Sequence, residues 1–139
     1  MTKYCRTFEH TADVGLQGRA ETLGELFEAM GEGLAEVICP RQSVKKQKTL
    51  QIQAESENVE SLLVDFLSEL LGLFNLEKFL IAGVGVERIN ETSVAAEVVG
   101  EPYDPARHKM VDEIKAVTYH KLRVAHEADG WVGRVILDI

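Results

Sequence analysis

Hydrophobic and polar residues recur along the chain with two different periods, and the longer period predicts two helices. Apolar residues return at helical spacing between Thr22 and Cys39, where Thr22 and Glu25 also have the T-x-x-E spacing of a capping box. Pro40 follows directly and ends this helix. Residues 58–75 are apolar around most of the helical circumference, which predicts a second helix that is buried more deeply than the first.

The shorter period, strict alternation, predicts strands in most of the remaining chain. The strand segments are YCRTFEH, VGLQGRA, QKTLQIQAES, FLIAGVGVERI, TSVAAEVVG, IKAVTYHKLRVAHE and WVGRVILDI. Asn90-Glu91 and Asp129-Gly130 are predicted hairpin turns, the second with a strong turn dipeptide. With strands at both ends, the predicted fold class is α+β: a two-layer, largely antiparallel sheet packed with two helices, in a single domain over residues 1–139.

Charge and composition restrict the class of function. The net charge is −8, which disfavours a protein that grips nucleic acid directly, because phosphate contacts require clustered Lys and Arg. No apolar run approaches the roughly 18 residues of a membrane span, so we expect no membrane partner. Cys5 and Cys39 are too few for a disulfide framework and indicate free thiols in a reducing compartment. We therefore expect a cytoplasmic protein.

The segment EHTADVG, at residues 9–15, carries more polar groups than a packed core requires. Glu9, His10 and Asp13 lie between two predicted strands and could project from one end of the sheet. Local turn chemistry, with Thr11 and Asp13 bonding nearby backbone amides, accounts for the same residues. The segment by itself favours turn chemistry over a site.

Two later segments raise the same question. In GEPYDPARHKM, the side chains of Glu101, Asp104 and His108 could cluster as metal ligands, but the spacing matches no specific metal motif and Asp-Pro is also a plain turn former. In EIKAVTYHKL, a regular strand would place Lys115 and Tyr119 on one face. His120 in that strand is typical of a hydrogen-bonded structural histidine.

The chain ends on RVILDI, which places the carboxylate of Asp138 beside the α-carboxylate of Ile139. If strand 131–137 lies beside the N-terminal strands, Asp13 comes close to both groups. Three adjacent carboxylates repel each other unless a cation offsets their charge, and Ca²⁺ or Mg²⁺ prefers such oxygen ligands. The alternative, a chain that simply stops there, is about equally consistent with the periodicity.

Taken together, these motifs resemble the archease family. The resemblance rests on EHTADVG, TLGELFEAMGEGL, LLVDFLSELL, GEPYDPARH, IKAVTYHKL and the terminal Asp-Ile, which occur in this order over essentially the whole chain. It implies an α+β fold with an inserted strand-helix segment. It also implies a non-catalytic accessory protein of RtcB-type RNA ligases, which promotes ligase guanylylation by GTP and repeated turnover in tRNA splicing or RNA repair.

The resemblance further implies roles for individual residues. A metal site, commonly assigned to Ca²⁺ and with Mg²⁺ or Mn²⁺ as alternatives, would be formed by Asp13, Asp138 and Ile139. Lys115 would face the ligase or its nucleotide, which reaches this protein only through the ligase. His10, Glu101 and His120 lie in family motifs but receive no specific role. Because the ligase would supply the basic groove, we expect no direct contact with RNA.

Two other classes of function remain open from the residues. A metal-dependent hydrolase of a phosphorylated substrate would use Asp13, Asp138 and His120, although the sequence contains no nucleophile motif or phosphate-binding loop for it. A general chaperone would require a sizeable exposed apolar patch, whereas the apolar faces of both predicted helices can be covered by the sheet.

Overall fold

The fold is taken from a computed structural model that describes residues 3–10, 13–109 and 111–139, with only the backbone of Glu9 and His10. The strands are β1 (Tyr4–His10), β2 (Asp13–Ala20), β3 (Lys48–Glu55), β4 (Phe79–Ile89), β5 (Ser93–Pro102), β6 (Ala116–Glu127) and β7 (Gly130–Asp138). The helices are α1 (Leu23–Ile38) and α2 (Val59–Glu77), with a short 3₁₀ helix at Arg41–Ser43. Every predicted helix and strand is therefore present. No helix in the described ranges is both long and apolar enough to cross a membrane.

Both long helices begin at side-chain caps, and the sequence predicted the one at Thr22. Thr22 Oγ1 accepts a 3.1 Å hydrogen bond from the Glu25 N–H at the start of α1. Asn58 Oδ1 accepts a 2.9 Å bond from the Ser61 N–H at the start of α2. These acceptors satisfy amide donors that have no partner within the first turn of a helix. α2 ends at Lys78, whose backbone is left-handed with φ of 54°.

The strands form two antiparallel sheets, a division that the sequence pattern did not predict. β1, β2, β7 and β6 form one sheet in that spatial order, which we call the terminal sheet. β3, β5 and β4 form the second, which we call the inserted sheet. The inserted sheet and α2 come from one continuous stretch, 48–102, between α1 and β6. This arrangement agrees with the inserted segment that the family resemblance implies, and the α+β class is confirmed.

The two helices share one hydrophobic core with both sheets. The rings of Phe27 on α1 and Phe66 on α2 lie with centroids 5.2 Å apart and are fully buried. α1 contacts β1, β2 and β7 of the terminal sheet and also β4 of the inserted sheet, whereas α2 contacts β3 and β6. Because β6 belongs to the terminal sheet and β3 to the inserted sheet, both helices join the two sheets.

Carboxylates of α1 cover the free edge of β4. The Val86 N–H donates to Glu28 Oε2 at 2.8 Å, and the Val84 N–H donates to Glu32 Oε2 at 3.2 Å. An edge strand otherwise presents unpaired backbone donors that can recruit another strand. The two glutamates thus satisfy two edge amides of β4 and fix this strand to α1.

The predicted hairpin between β6 and β7 is present, but its turn is shifted by one residue. Glu127 pairs with Gly130, so the two loop residues are Ala128 and Asp129. Gly130 is the first residue of β7 and has φ of 141°, a backbone conformation that favours glycine. Gly130 therefore provides the unusual backbone conformation at the end of the turn, as the first residue of β7 and not as a loop residue.

β6 is interrupted by a bulge. Thr118 pairs with Ile136, but the next paired residues are Arg123 and Arg134, so residues 119–122 lie opposite a single residue of β7. Such an insertion breaks the alternation of side chains along a strand.

The bulge corrects the prediction made for EIKAVTYHKL. Lys115 precedes the strand, and regular alternation ends before Tyr119, so the shared face predicted for Lys115 and Tyr119 does not follow from strand geometry. Within the bulge Lys121 is left-handed with φ of 53°, and Tyr119 is 60% exposed. His120 is exposed and its N–H donates to Thr118 Oγ1 at 3.3 Å.

Candidate functional site

The second and the last strands of the described chain are neighbours in the terminal sheet, and the start of one meets the end of the other. β2 and β7 are antiparallel neighbours in which Val14 pairs with Leu137. Continuing this register by one residue sets Asp13, the first residue of β2, opposite Asp138, the last residue of β7. Val14 and Leu137 pack toward the core, so the two aspartates, which alternate with them, lie on the other face. Both aspartates are half-buried.

The same end of the sheet contains two further residues that the family resemblance selects, Ile139 and Lys115. Ile139 directly follows Asp138 and is 45% exposed. On the opposite side of β7, Ala116 pairs with Asp138, and the Lys115 N–H donates a 2.7 Å hydrogen bond to the Asp138 carbonyl oxygen. The Lys115 side chain is exposed. The hypothesis of a shared carboxylate site required β7 to pair with an N-terminal strand, and β7 does pair with β2.

The chemistry of this set suits a hard cation. Two aspartate carboxylates and a chain-terminal carboxylate are oxygen donors of the kind that Ca²⁺ and Mg²⁺ prefer. In the parts of the chain that are described, no three His, Cys, Asp or Glu side chains converge as metal ligands. The candidate set contains only two such side chains, Asp13 and Asp138, with the α-carboxylate of Ile139 as its third donor. Metal binding by this set remains a prediction.

His10 can be placed only by its backbone. It pairs with Asp13 at the end of the β1–β2 hairpin. Its side chain, together with Thr11 and Ala12, lies outside the described residues. The turn chemistry considered for this segment and any role of His10 therefore remain predictions.

Glu101 and His108 meet in a buried cluster, which includes neither Asp13 nor Asp138. Glu101 is 1% exposed, and its Oε2 accepts the Lys45 N–H at 2.8 Å and lies 2.9 Å from His108 Nε2. The Arg107 guanidinium donates to the other oxygen, Oε1. The Asp104 N–H donates to His108 Nδ1 at 2.9 Å, so Nε2 carries the imidazole proton and donates to Glu101.

This cluster is built to hold a charged carboxylate without a metal. The hydrogen bond from Arg107 lowers the pKa of Glu101 to about 2, against the opposing effect of burial. Both carboxylate oxygens are engaged, and the Asp104 carboxylate is used by the Ala106 N–H at 3.0 Å, as expected for a turn. The sequence favoured a plain turn over a cluster, and both are present: Glu101 and His108 meet, and Asp104 joins them only through its backbone while its carboxylate serves the turn.

Sequence reasoning missed Arg107, the strongest partner of Glu101. A basic residue beside His108 in a loop stiffened by two prolines was visible in GEPYDPARH. Its contact with a residue six positions earlier depends on how the loop folds back, which no local period indicates.

Comparison with known proteins places this arrangement in a family. The model of the Archease protein family matches residues 5–139. Protein archease from Methanosarcina acetivorans is 39% identical over 135 residues, covering 94% of this chain and 92% of its own. Protein archease from Pyrococcus furiosus is 35% identical over 136 residues, covering 95% of this chain and 96% of its own.

Two solved structures share the fold. Methanobacterium thermoautotrophicum protein 1598, a solution structure, has a TM-score of 0.79 at 28% identity, covering 97% of this chain and 98% of its own. An archease from Thermotoga maritima, described as a possible chaperone, has a TM-score of 0.62 at 18% identity and covers 96% of each chain, which supports the fold alone. The family model and the two relatives together show that the chain belongs to the archease family.

Proposed function

We propose that the protein is an accessory factor of an RtcB-type RNA ligase that promotes guanylylation of the ligase by GTP and its repeated turnover in tRNA splicing or RNA repair. Membership of the archease family supports an accessory role. The observation that carries the proposal is the register of β2 and β7, which sets Asp13 opposite Asp138 at an open end of the sheet. Lys115, bonded to Asp138 through its backbone, lies at the same end.

In this proposal Asp13, Asp138 and the α-carboxylate of Ile139 bind one divalent cation, Ca²⁺ in the first place and Mg²⁺ or Mn²⁺ as alternatives. The bound cation supplies a positive charge that offsets the repulsion between the carboxylates and suits contact with a polyphosphate. The strands hold the two aspartates on one face, so little backbone ordering remains to be done on binding.

Lys115 has a different part in the proposal. Its backbone is bonded to Asp138 and its side chain is exposed, but the ammonium group is a cation and therefore cannot coordinate the metal. We assign it to the ligase or to the ligase-bound nucleotide, where a lysine is a common phosphate partner. The net charge of −8 is consistent with insertion into a basic groove that the ligase provides.

Guanylylation of a purified RtcB-type ligase by labelled GTP tests the proposal. We expect the wild-type protein to raise the rate and Asp13→Asn or Asp138→Asn to abolish the stimulation with the fold intact. Asp129→Asn is the matched control, because Asp129 is 70% exposed and lies at the other end of the β6–β7 hairpin. Normal stimulation by Asp13→Asn would refute the mechanism.

The same mixture separates the two alternative functions. Release of phosphate from a phosphorylated substrate without the ligase, lost in the His120→Ala variant, would favour the hydrolase. Protection of unrelated unfolding proteins without GTP would favour the general chaperone. The accessory role requires the ligase and GTP together.

A further inference from the structure

Three arginines lie in one row across the terminal sheet. In the strand register Arg6 pairs with Gln17, Gln17 with Arg134, and Arg134 with Arg123. Directly opposite residues of antiparallel strands project from the same face. Neighbouring strands are about 4.8 Å apart, so Arg6 and Arg134, which are two strands apart, are separated by roughly 10 Å at their backbones.

The row lies on the face of the sheet that is turned away from α1, which we call the outer face. Leu16 and Val135 are fully buried in the shared core, and Gln17 and Arg134 alternate with them. Along β2 the row is four residues from Asp13, or about 13 Å at strand spacing. It is therefore distinct from the proposed cation site at the end of the same face.

Arg134 is held in a fixed position without an anionic partner. Its guanidinium lies 4.7 Å from the centroid of the Phe8 ring, and its Nε is buried with no hydrogen-bond partner. Its neighbours on the same face of β7, Val132 and Ile136, are 8% and 1% exposed. The Nε is too buried to contact a ligand, so an anion would have to bind the terminal nitrogens of this half-buried side chain, and an apolar surround strengthens that attraction.

The free positive charge of the outer face is concentrated on Arg6 and Arg134. Arg123 is paired with Glu127 at 3.1 Å, and Arg19 is paired with Glu127 and Asp129. In the described parts of the chain, no ion pair or side-chain hydrogen bond is found for Arg6 or Arg134. A local positive site thus exists on a protein whose net charge is −8.

An exposed aromatic side chain adjoins this site. Tyr4 pairs with Arg19, so it lies on the outer face two residues from Arg6 along β1, and it is 44% exposed. Aromatic rings beside guanidinium groups on a sheet are the usual platform for single-stranded nucleic acids, where bases stack and phosphates are neutralised. An acidic peptide would use the arginines but has no base to stack on Tyr4.

We infer that the outer face of the terminal sheet binds single-stranded nucleic acid, with phosphates at Arg6 and Arg134 and a base against Tyr4. The inference replaces the expectation that the protein makes no direct contact with RNA. It goes beyond the proposed accessory role and does not rest on it, because the row involves neither the cation site nor the ligase. RNA and DNA share this chemistry, and the 2′-hydroxyl distinguishes them.

Two phosphate contacts make the binding weak and mildly salt-dependent. For single strands the slope of log K against log salt is about −0.7 per neutralised phosphate, so two contacts give a slope of about −1.4. A steeper slope would require more cationic groups than the row contains. Binding should therefore be sought at low ionic strength.

Fluorescence anisotropy of labelled oligouridine and oligodeoxythymidine, with EDTA and without ligase or GTP, tests the inference. We expect the Arg6→Gln/Arg134→Gln variant to bind oligouridine about tenfold or more weakly, and Tyr4→Leu to lose affinity without a change in salt slope. Arg88→Gln on β4 is the matched control, because it removes the same charge from an exposed site on the inserted sheet. Preference for oligouridine would assign RNA, and equal binding would assign single strands in general.

Several outcomes would overturn the inference. Wild-type protein that fails to bind either oligonucleotide at low salt would do so, as would an Arg88→Gln variant that is weakened as much as the double variant. Binding of polyglutamate in place of the oligonucleotides, lost in the same variants, would assign the face to an acidic protein instead. Arg6 is exposed, so Arg6→Gln alone keeps the test decisive if Arg134→Gln lowers the melting temperature.

Discussion

The backbone N–H of Lys115 donates a 2.7 Å hydrogen bond to the carbonyl oxygen of Asp138. This bond ties the loop that follows the Glu101 cluster to the last residue of β7. Because the bond uses only main-chain atoms, it separates two properties of Lys115: its backbone fixes the end of the sheet, and its exposed side chain remains available to a partner.

Replacing Lys115 in two ways should separate these properties. Lys115→Ala keeps the N–H and should leave Ca²⁺-dependent stabilisation unchanged while reducing ligase guanylylation. Lys115→Pro removes the donor and should weaken both. Thermal melting with and without Ca²⁺, alongside the guanylylation assay, provides the two readouts. Loss of the Ca²⁺-dependent stabilisation in Lys115→Ala would contradict the separate roles assigned to the backbone and the side chain of Lys115.

The α-carboxylate of Ile139 should be necessary for cation binding. A ligand at one hundred times its dissociation constant stabilises a protein by about 2.7 kcal/mol, which corresponds to a rise in melting temperature of about 8 °C for a domain of this size. Appending Gly-Ser after Ile139 removes the carboxylate from its position and should abolish the rise. Ile139→Val keeps the carboxylate and should retain it. A full Ca²⁺ response in the extended protein would exclude the terminal ligand.

Gly15 should be intolerant of any side chain. A Cβ at Gly15 would overlap the ring of Phe8, which lies across it from β1 and also contacts Arg134. Overpacking costs typically 1–3 kcal/mol, and because the half-buried Phe8 ring can move aside, we expect Gly15→Ala to lower the free energy of unfolding by about 1 kcal/mol. Urea denaturation would measure the change.

Two controls show whether the Phe8 ring is the cause. Gly15→Ala should cost much less in a Phe8→Ala background, because the clash is then absent and the two effects are not additive. Gly85→Ala on β4 should be tolerated, since a Cβ there has no atom within 4 Å. An equal cost of Gly15→Ala in both backgrounds would assign the effect to the backbone instead.

Glu101 should contribute stability that depends on pH. Its pKa is lowered from 4.5 to about 2, mainly by Arg107, so the folded state favours the charged carboxylate. For a lowered pKa the stabilisation is complete above the unfolded value and is lost as the pH falls through the folded value. The contribution should therefore be full above about pH 5 and should decline toward pH 2.

Glu101→Gln is the variant for this prediction. It should lower the free energy of unfolding by about 2 kcal/mol at pH 7, because a charged hydrogen-bond network is replaced by a neutral one. The difference from wild type should shrink as the pH approaches 2. Glu57→Gln, at an exposed position before α2, should show no such trend. A difference that is constant from pH 7 to pH 2 would contradict the assignment to Glu101.

Local sequence determined the secondary structure. The capping residue Thr22 predicted the start of α1 and the helical period predicted both α1 and α2, because these interactions join residues three or four positions apart. Alternation predicted the strands for the same reason. The prediction was wrong where a local rule was interrupted by a neighbour, as in the bulge at residues 119–122.

The buried cluster around Glu101 shows which contacts the spacing of residues in one loop can predict and which it cannot. The polar residues of GEPYDPARH offered a cluster of Glu101 and His108 as the less favoured alternative to a turn, and the two side chains do meet at 2.9 Å. The contribution of the Lys45 N–H, 56 positions earlier, depends on the path of the chain between the sheets. No pattern within the loop encodes that contact.

By itself the sequence determined the helices, the strands, their polar edges and membership of the archease family, since each depends on local order along the chain. Only the tertiary structure decided that the strands divide into two sheets, that Asp13 lies opposite Asp138, and that Arg6 and Arg134 share a row. The physical reason is that β2 and β7, which are more than a hundred residues apart in sequence, pair in a register that no local pattern sets. A shift of one residue in that pairing would move Arg134 and Asp138 to the face opposite Arg6 and Asp13.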